Sequence, residues 1–141
     1  MPTRPTRPRT VTDGRVVWLS ELDAPDAFPP VEQALREPDG LLAAGGDLST
    51  PRLLAAYRRG IFPWYDEGQP VLWWSPDPRC VFGPGDLHLS RRFFKEARSS
   101  TLTIRVNSAF ADVIRHCAEP RRHQQGTWIT SDMRDAYLRL H

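Results

Sequence analysis

The sequence lacks the features that define several large classes of protein. It has only two cysteines in 141 residues, Cys80 and Cys117, and they lie far apart along the chain. This usage favours buried free thiols over a disulfide framework. No apolar run approaches the roughly 20 residues of a membrane span, and the first residues contain no apolar stretch of the signal-peptide type. The sequence therefore predicts a soluble, cytoplasmic protein.

The sequence also lacks the common motifs for nucleotides and metals. It contains neither G-x-G-x-x-G nor G-x-x-x-x-G-K, which argues against a dinucleotide site or a P-loop. A metal centre could be imagined from Cys80, Cys117, His116 and His123, but their spacing matches no zinc pattern. We therefore expect no metal and no cofactor.

Charge is low overall and unevenly placed. The formal net charge is +2, whereas residues 1–15 alone carry four arginines and one aspartate, a net of +3. The Pro-Arg-Thr repetition of this segment cannot bury apolar area, so it predicts an extended basic tail. Such a tail could bind polyanions weakly, but a solvated tail without a specific partner is the simpler interpretation.

Tryptophan is what the sequence has in quantity. Of its five tryptophans, Trp64, Trp73 and Trp74 fall in one segment punctuated by proline and glycine. Proline fixes the backbone beside each ring, and an indole needs burial or stacking together with a partner for its N–H. The segment predicts a preformed aromatic site, with an ordinary aromatic core as the alternative. Trp73 and Trp74 point to opposite sides of a strand, so one of them is expected in the core in either case.

The remaining pattern predicts an α+β fold. Short strands are expected at residues 16–19, 71–74, 80–82 and 102–106, the last from strict alternation of apolar and polar residues. Gly45-Gly46 marks a turn or a close backbone approach. Helices are predicted after Ser49 or Thr50, after Ser90, after Asn107 or Ser108, and after Ser131, and the first of them should end at Gly60.

The helix that follows Ser90 carries a basic face. Arg91, Lys95 and Arg98 fall at positions i, i+4 and i+7, while Phe94 and Ala97 mark a different face that we expect to be buried. Arginine offers a planar fork to phosphate oxygens, so this face suits a nucleic-acid backbone. A merely solvated face is the alternative.

An ordered series of motifs resembles one family, the leucyl/phenylalanyl-tRNA–protein transferases, from about Phe28 to His141. The motifs that carry the resemblance are Phe28-Pro29-Pro30, Gly45-Gly46-Asp47-Leu48-Ser49, Arg59-Gly60-Ile61-Phe62-Pro63-Trp64, Leu72-Trp73-Trp74-Ser75-Pro76-Asp77-Pro78-Arg79, Leu87-His88-Leu89-Ser90-Arg91 and Gly126-Thr127-Trp128-Ile129-Thr130.

The resemblance implies a reaction and its partners. The family moves Leu, Phe or sometimes Met from charged tRNA to the N-terminal Arg or Lys of acceptor proteins, which marks them for proteolysis. The implied architecture is a basic tail at 1–15, a small N-terminal α/β domain at 16–75, and the start of a GNAT-like acyltransferase domain at 76–141.

The resemblance also implies roles for particular residues. Trp64, Tyr57 and Trp128 become candidates for contacts with the terminal adenosine and the acyl group. The candidates for the acceptor-stem phosphates are Arg91, Arg92, Lys95 and Arg98. For Tyr57 a simple place in the core is the competing interpretation.

No catalytic residue is assigned. The Asp and Gln of the family's catalytic region are expected beyond the position matched by His141, in a part that also completes the acyltransferase sheet. Two alternatives to an active transferase therefore stay open. One is an inactive remnant that still binds tRNA, and the other is a structural or protein-interaction fragment whose aromatic residues are all core.

Overall fold

The computed structural model describes residues 15–119 and 127–141. The predicted basic tail, apart from Arg15, and the candidate metal ligand His123 lie outside these residues. Within them, the chain forms a four-stranded sheet and four α-helices, a mixed α/β fold. The strands are β1 (Val17–Leu19), β2 (Leu41–Gly45), β3 (Phe62–Pro63) and β4 (Leu72–Trp74), and the helices are α1 (Thr50–Arg58), α2 (Arg91–Ser99), α3 (Phe110–Cys117) and α4 (Ser131–Leu140).

The sheet is mostly antiparallel, with the strand order β1-β2-β4-β3. β1 pairs in parallel with β2, whereas β4 pairs antiparallel with both β2 and β3. β2 is central and buried over Leu42, Ala43 and Ala44, which explains why its sequence is continuously apolar rather than alternating. Gly45 has φ +83°, and a Cβ there would lie 2.5 Å from the Leu19 carbonyl oxygen. The close backbone approach predicted for the paired glycines is thus present at Gly45.

The core lies between the sheet and the helices α1 and α4. Trp73 is fully buried, and its indole nitrogen donates to the Gly45 carbonyl at 2.9 Å. Phe28 meets the Trp73 ring edge-on, with 4.8 Å between the ring centroids. Met133 and Ala136 of α4 complete the same cluster. Burial of each large side chain stabilises the fold by about 1.5–3 kcal/mol.

Two arginines fix the loop that follows β1. Arg52 is 1% exposed, and its guanidinium donates to the carbonyls of Ser20 and Asp23 and contacts Asp47 at 3.4 Å. Arg59 donates to the carbonyls of Phe28 and Pro29, and its bond to Pro29 is 2.6 Å long. Loop carbonyls that no strand pairs are thereby satisfied by side chains.

The bounds of α1 agree with its sequence signals. Ser49 occupies the N-cap position, Pro51 lies in the first turn, and Gly60, with φ +71°, follows the helix end in the left-handed region. For α4 the N-cap is Thr130 rather than the predicted Ser131, because the Thr130 hydroxyl accepts from the Met133 amide at 3.2 Å. For α3 the N-cap position is Ala109 rather than the predicted Asn107 or Ser108.

Two predicted strands are wrong for the described residues. Residues 80–82 and 102–106 have no strand structure. Leu102, Ile104 and Val106 are 80–92% exposed, so their alternation is real in the sequence but finds no neighbouring strand. A β-strand is held by cross-strand hydrogen bonds, and a local pattern alone cannot supply the partner.

Predicted burial is also wrong at several positions. Phe94 is 47% exposed and Ala97 is exposed, because none of the described elements packs closely against α2. Cys80 and Cys117 are free but exposed rather than buried; Cys80 lies outside the helices and strands, and Cys117 is the last residue of α3. Among the described residues, the structure contains no helix whose length and hydropathy would suit a membrane span.

Candidate functional site

An aromatic cavity of about 300 Å³ opens at the junction of α1, β3 and α4. Tyr57 comes from α1 and Tyr137 from α4, while Trp64 directly follows β3 and Trp128 precedes α4. None of the residue types that line the cavity carries a formal charge. This composition suits a ligand that presents a flat ring or an apolar side chain. Its lining residues are Tyr57, Phe62, Pro63, Trp64, Trp128 and Tyr137.

The two tryptophans stand at the open side of this cavity. Their ring centroids are 6.4 Å apart and the planes are inclined by 56°. Trp64 is 54% exposed and Trp128 is 38% exposed, so neither indole is buried in the core. An exposed indole beside a second one offers a stacking surface to a planar ligand.

The backbone of Trp64 is held on both sides by β4. The Trp64 amide donates to the Leu72 carbonyl at 2.9 Å. The Trp64 carbonyl accepts from the indole nitrogen of Trp74 at 2.6 Å. The ring is thus carried on a fixed backbone and needs little ordering when a ligand binds.

The hydroxyls of Tyr57 and Tyr137 hydrogen-bond to one another and so join α1 to α4 across the cavity. Desolvation, and then the interaction with Tyr137, raises the pKa of Tyr57 well above its usual value. Tyr57 is therefore a neutral side chain that can donate or accept a hydrogen bond. At 38% exposure it is a cavity residue and not a core residue.

A third tyrosine, Tyr65, connects the two tryptophan-bearing segments. Tyr65 is 7% exposed, and its hydroxyl lies 3.4 Å from the Thr130 Oγ1 atom. Desolvation raises the pKa of Tyr65; the hydrogen bond with Thr130 lowers it in part, and the charges of Asp132 and Glu67 raise it slightly further. Since Thr130 caps α4 and follows Trp128 by two residues, this contact helps fix Trp128 relative to Trp64.

The structure leaves the basic helix apart from the cavity. Arg91, Lys95 and Arg98 line an open groove on α2 together with Phe94 and Ser99. Arg92 instead pairs with Glu96 at 2.8 Å. The structure thus brings Tyr57, Trp64 and Trp128 together and gathers three of the four basic candidates on one face, without packing that face closely against the cavity.

Sequence reasoning missed Phe62, Pro63 and Tyr137 as cavity residues. Tyr137 lies in the helix that follows Thr130, and nothing local in the sequence pairs that helix with α1. Within residues 15–119 and 127–141, no three His, Cys, Asp or Glu side chains come together as a metal site would require.

Two models of protein families match most of the chain. Residues 46–77 match the family model of the leucyl/phenylalanyl-tRNA protein transferase N-terminal domain, and residues 81–141 match the leucyl/phenylalanyl-tRNA protein transferase model. Both models describe the same class of protein, the tRNA–protein transferases.

Curated relatives carry the same name, leucyl/phenylalanyl-tRNA–protein transferase. The relative from Xylella fastidiosa (strain 9a5c) is 66% identical over 115 residues, which are 81% of this chain and 47% of the relative. That from Stutzerimonas stutzeri (strain A1501) is 59% identical over 126 residues, 89% of this chain and 55% of the relative. The chain thus spans about half the length of the curated relatives it matches. It belongs to the leucyl/phenylalanyl-tRNA–protein transferase family.

Proposed function

We propose that this chain recognises the donor in an aminoacyl transfer. In that reaction Leu, Phe or Met passes from charged tRNA to the N-terminal Arg or Lys of an acceptor protein, which marks the acceptor for degradation by the N-degron pathway. The observation that carries the proposal is the uncharged aromatic cavity where Tyr57, Trp64 and Trp128 meet. Charged tRNA is a cytoplasmic substrate, so the function belongs in the cytoplasm.

The cavity matches what such a reaction needs from the donor side. An aminoacyl ester is already activated, so the protein must mainly hold the terminal adenosine and the acyl group in place for the attacking amine. Trp64 and Trp128 stack on the terminal adenine, and each base stacked on an aromatic ring is worth about 1–3 kcal/mol. Tyr57 and its partner Tyr137 contact the ribose or the ester with neutral hydroxyls.

The cavity supplies binding and orientation rather than proton transfer. Its lining contains no carboxylate, imidazole or amine side chain that could act as a general base near neutral pH. Acid–base steps are therefore assigned to none of the cavity residues.

The basic face of α2 is proposed to contact the acceptor-stem phosphates. Arg91, Lys95 and Arg98 are exposed on one side of α2, with no described element packed closely against it. Such contacts position a nucleic acid without reading its sequence. Arg92 is the weaker member of the proposed set because Glu96 already neutralises it.

We also propose that residues 16–75 are the N-terminal α/β domain and that residues 76–141 open a GNAT-like acyltransferase domain. In that arrangement the two parts each contribute one tryptophan, Trp64 and Trp128, to a shared aromatic surface for the donor. Their ring contact at 6.4 Å supports this picture.

The test uses a chimaera in which this chain replaces the matched half of the Stutzerimonas stutzeri relative. Transfer of labelled Phe from Phe-tRNA to an Arg-initiated protein is measured for the chimaera and for its Trp64→Ala and Trp128→Ala variants. Transfer by the chimaera that both substitutions reduce supports the proposal. A chimaera that binds Phe-tRNA but transfers nothing favours the inactive tRNA-binding alternative. A chimaera that neither binds nor transfers, while the relative does both, contradicts the proposal.

A further inference from the structure

Arg79 lies at the end of the Ser75-Pro76-Asp77-Pro78-Arg79 segment and reaches back to the turn between α1 and β3. Its Nη2 atom donates to the Gly60 carbonyl at 2.6 Å. Its guanidinium carbon lies 5.3 Å from the centre of the Phe62 ring, within range of a cation–π interaction. A single side chain thus holds both the turn and the ring that follows it.

The turn at Gly60 sets the direction in which the chain enters the aromatic cavity. Gly60 adopts a left-handed conformation, and its amide donates to the Tyr57 carbonyl at 3.0 Å. The Ile61 amide donates to the Ala56 carbonyl at 2.9 Å. The Gly60 carbonyl accepts the hydrogen bond from Arg79. A cation at this end of a helix is also favoured by the helix dipole.

Phe62 connects Arg79 to the aromatic cavity. Its ring lines the aromatic cavity and also a neighbouring cleft of about 450 Å³, so it forms part of the wall between them. Trp64 lies in the same wall, two residues later. Any rotation of Phe62 or shift of the turn would therefore change the width of the cavity.

We propose that Arg79 is a positioning residue for donor recognition, which holds the Gly60 turn and the Phe62 ring so that the cavity accepts the terminal aminoacyl-adenosine. This inference rests on the proposed function for the identity of the ligand. Arg79 itself is not in the cavity lining, so its effect passes through Phe62 and Trp64.

The experiment compares Arg79→Ala and Arg79→Lys with Arg115→Ala in this chain. Arg115 is a matched control, because it is exposed and its described partners, Asp112, His116 and Glu119, all lie on or just after α3. One readout is binding of an amide-linked phenylalanyl-adenosine, and the other is fluorine NMR of protein labelled with fluorotryptophan. The Trp64 and Trp73 resonances are assigned with Trp64→Phe and Trp73→Phe.

We expect Arg79→Ala to weaken binding of the probe about tenfold, since a charged hydrogen bond and a cation–π contact are both lost. The Trp64 resonance should shift while that of buried Trp73 stays in place. Arg79→Lys should recover part of the affinity, because lysine keeps a donor but loses the planar fork. Arg115→Ala should match the wild type in both readouts.

Wild-type affinity and an unmoved Trp64 resonance in Arg79→Ala would overturn the inference. A shift of Trp73 as large as that of Trp64 would also overturn it, since Arg79 would then support the whole fold rather than the cavity. If the wild-type chain does not bind the probe, the proposed function fails. In that case the Trp64 and Trp73 resonances, measured without the probe, still show whether Arg79 positions the cavity wall.

Discussion

The indole nitrogen of Trp74 donates to the backbone carbonyl of Trp64 at 2.6 Å. The two residues lie on adjacent segments, and a backbone bond from the Trp64 amide to the Leu72 carbonyl extends the pairing of β3 and β4 by one residue beyond Pro63. The indole bond means that the exposed ring of Trp64 stands on a backbone fixed by another tryptophan. Within the aromatic segment of the sequence, Trp74 thus supports the backbone and Trp64 supplies the exposed ring.

The first prediction concerns this support. Trp74→Phe keeps an aromatic ring but removes the donor to Trp64, a loss of about 0.5–1.5 kcal/mol for a hydrogen bond of this kind. Affinity for the phenylalanyl-adenosine probe should fall by a corresponding factor, as measured by titration calorimetry. Trp18→Phe is the control, since Trp18 is 68% exposed and does not line the cavity. Equal losses in the two variants would show that the bond has no role in binding.

The second prediction concerns the hydroxyl pair between α1 and α4. Tyr57→Phe and Tyr137→Phe each leave the other hydroxyl without its partner, so each should destabilise the fold by about 1 kcal/mol. The double variant should be destabilised by less than the sum, because the two hydroxyls share one bond. Chemical denaturation of the four proteins measures the coupling. Strict additivity would mean that the bond contributes nothing.

The third prediction is a dependence of stability on acid. Desolvation raises the pKa of Asp47, but hydrogen bonds from Ser49 and the charge of Arg52 outweigh it, so the pKa lies below its usual value. The ionised carboxylate thus stabilises the native state at neutral pH, and this contribution is lost as the pH falls through the lowered pKa. Asp47→Asn should be less stable than the wild type at neutral pH, and the difference should shrink below about pH 4.

Denaturation midpoints measured across the acid range decide this point. A difference between wild type and Asp47→Asn that stays constant down to the lowest pH would show that Ser49 and Arg52 do not stabilise the ionised carboxylate of Asp47. A difference that grows toward low pH would give the opposite sign and would contradict the assignment outright.

The fourth prediction concerns the basic face of α2. If Arg91, Lys95 and Arg98 contact phosphates, each substitution by Ala should weaken tRNA binding and reduce the slope of log affinity against log salt by about 1. Arg92→Ala, on the same helix, should have a smaller effect because Glu96 neutralises it. Filter binding of tRNA over a salt series measures the slopes. Wild-type slopes in all three of Arg91→Ala, Lys95→Ala and Arg98→Ala would remove α2 from the interface.

The sequence allowed prediction of those elements whose signals are local. The bounds of α1 follow from Ser49, Pro51 and Gly60, each of which acts on its own backbone. The prediction that one of the adjacent tryptophans is core is confirmed, since Trp73 is fully buried while Trp74 is not.

Elements that depend on distant partners were not predictable in the same way. β2 was not predicted as a strand, because a buried central strand has no alternation and its glycine looks like a turn. The segment 102–106 alternates well, yet no described strand pairs with it. Pairing is a property of two segments, so neither case could be decided from one of them.

The candidate site shows the same division. Trp64 and Trp128 could be selected for two reasons. A tryptophan beside proline or in a loop is less often a core residue, and both tryptophans lie in the family motifs. Phe62 and Tyr137 could not, since they join the cavity only after α4 packs on α1 and β3 pairs with β4. Whether these residues bind the donor stays a prediction.

The most direct test of the central claim removes one nucleotide from the ligand. Affinity of this chain is measured for intact tRNA and for the same tRNA trimmed of its terminal adenosine, with Trp64→Ala and Trp128→Ala in parallel. Loss of base stacking should weaken wild-type binding of the trimmed tRNA by about 1–3 kcal/mol, whereas each variant should distinguish the two RNAs much less. Equal wild-type affinity for intact and trimmed tRNA would contradict the claim that the aromatic cavity holds the end of the donor.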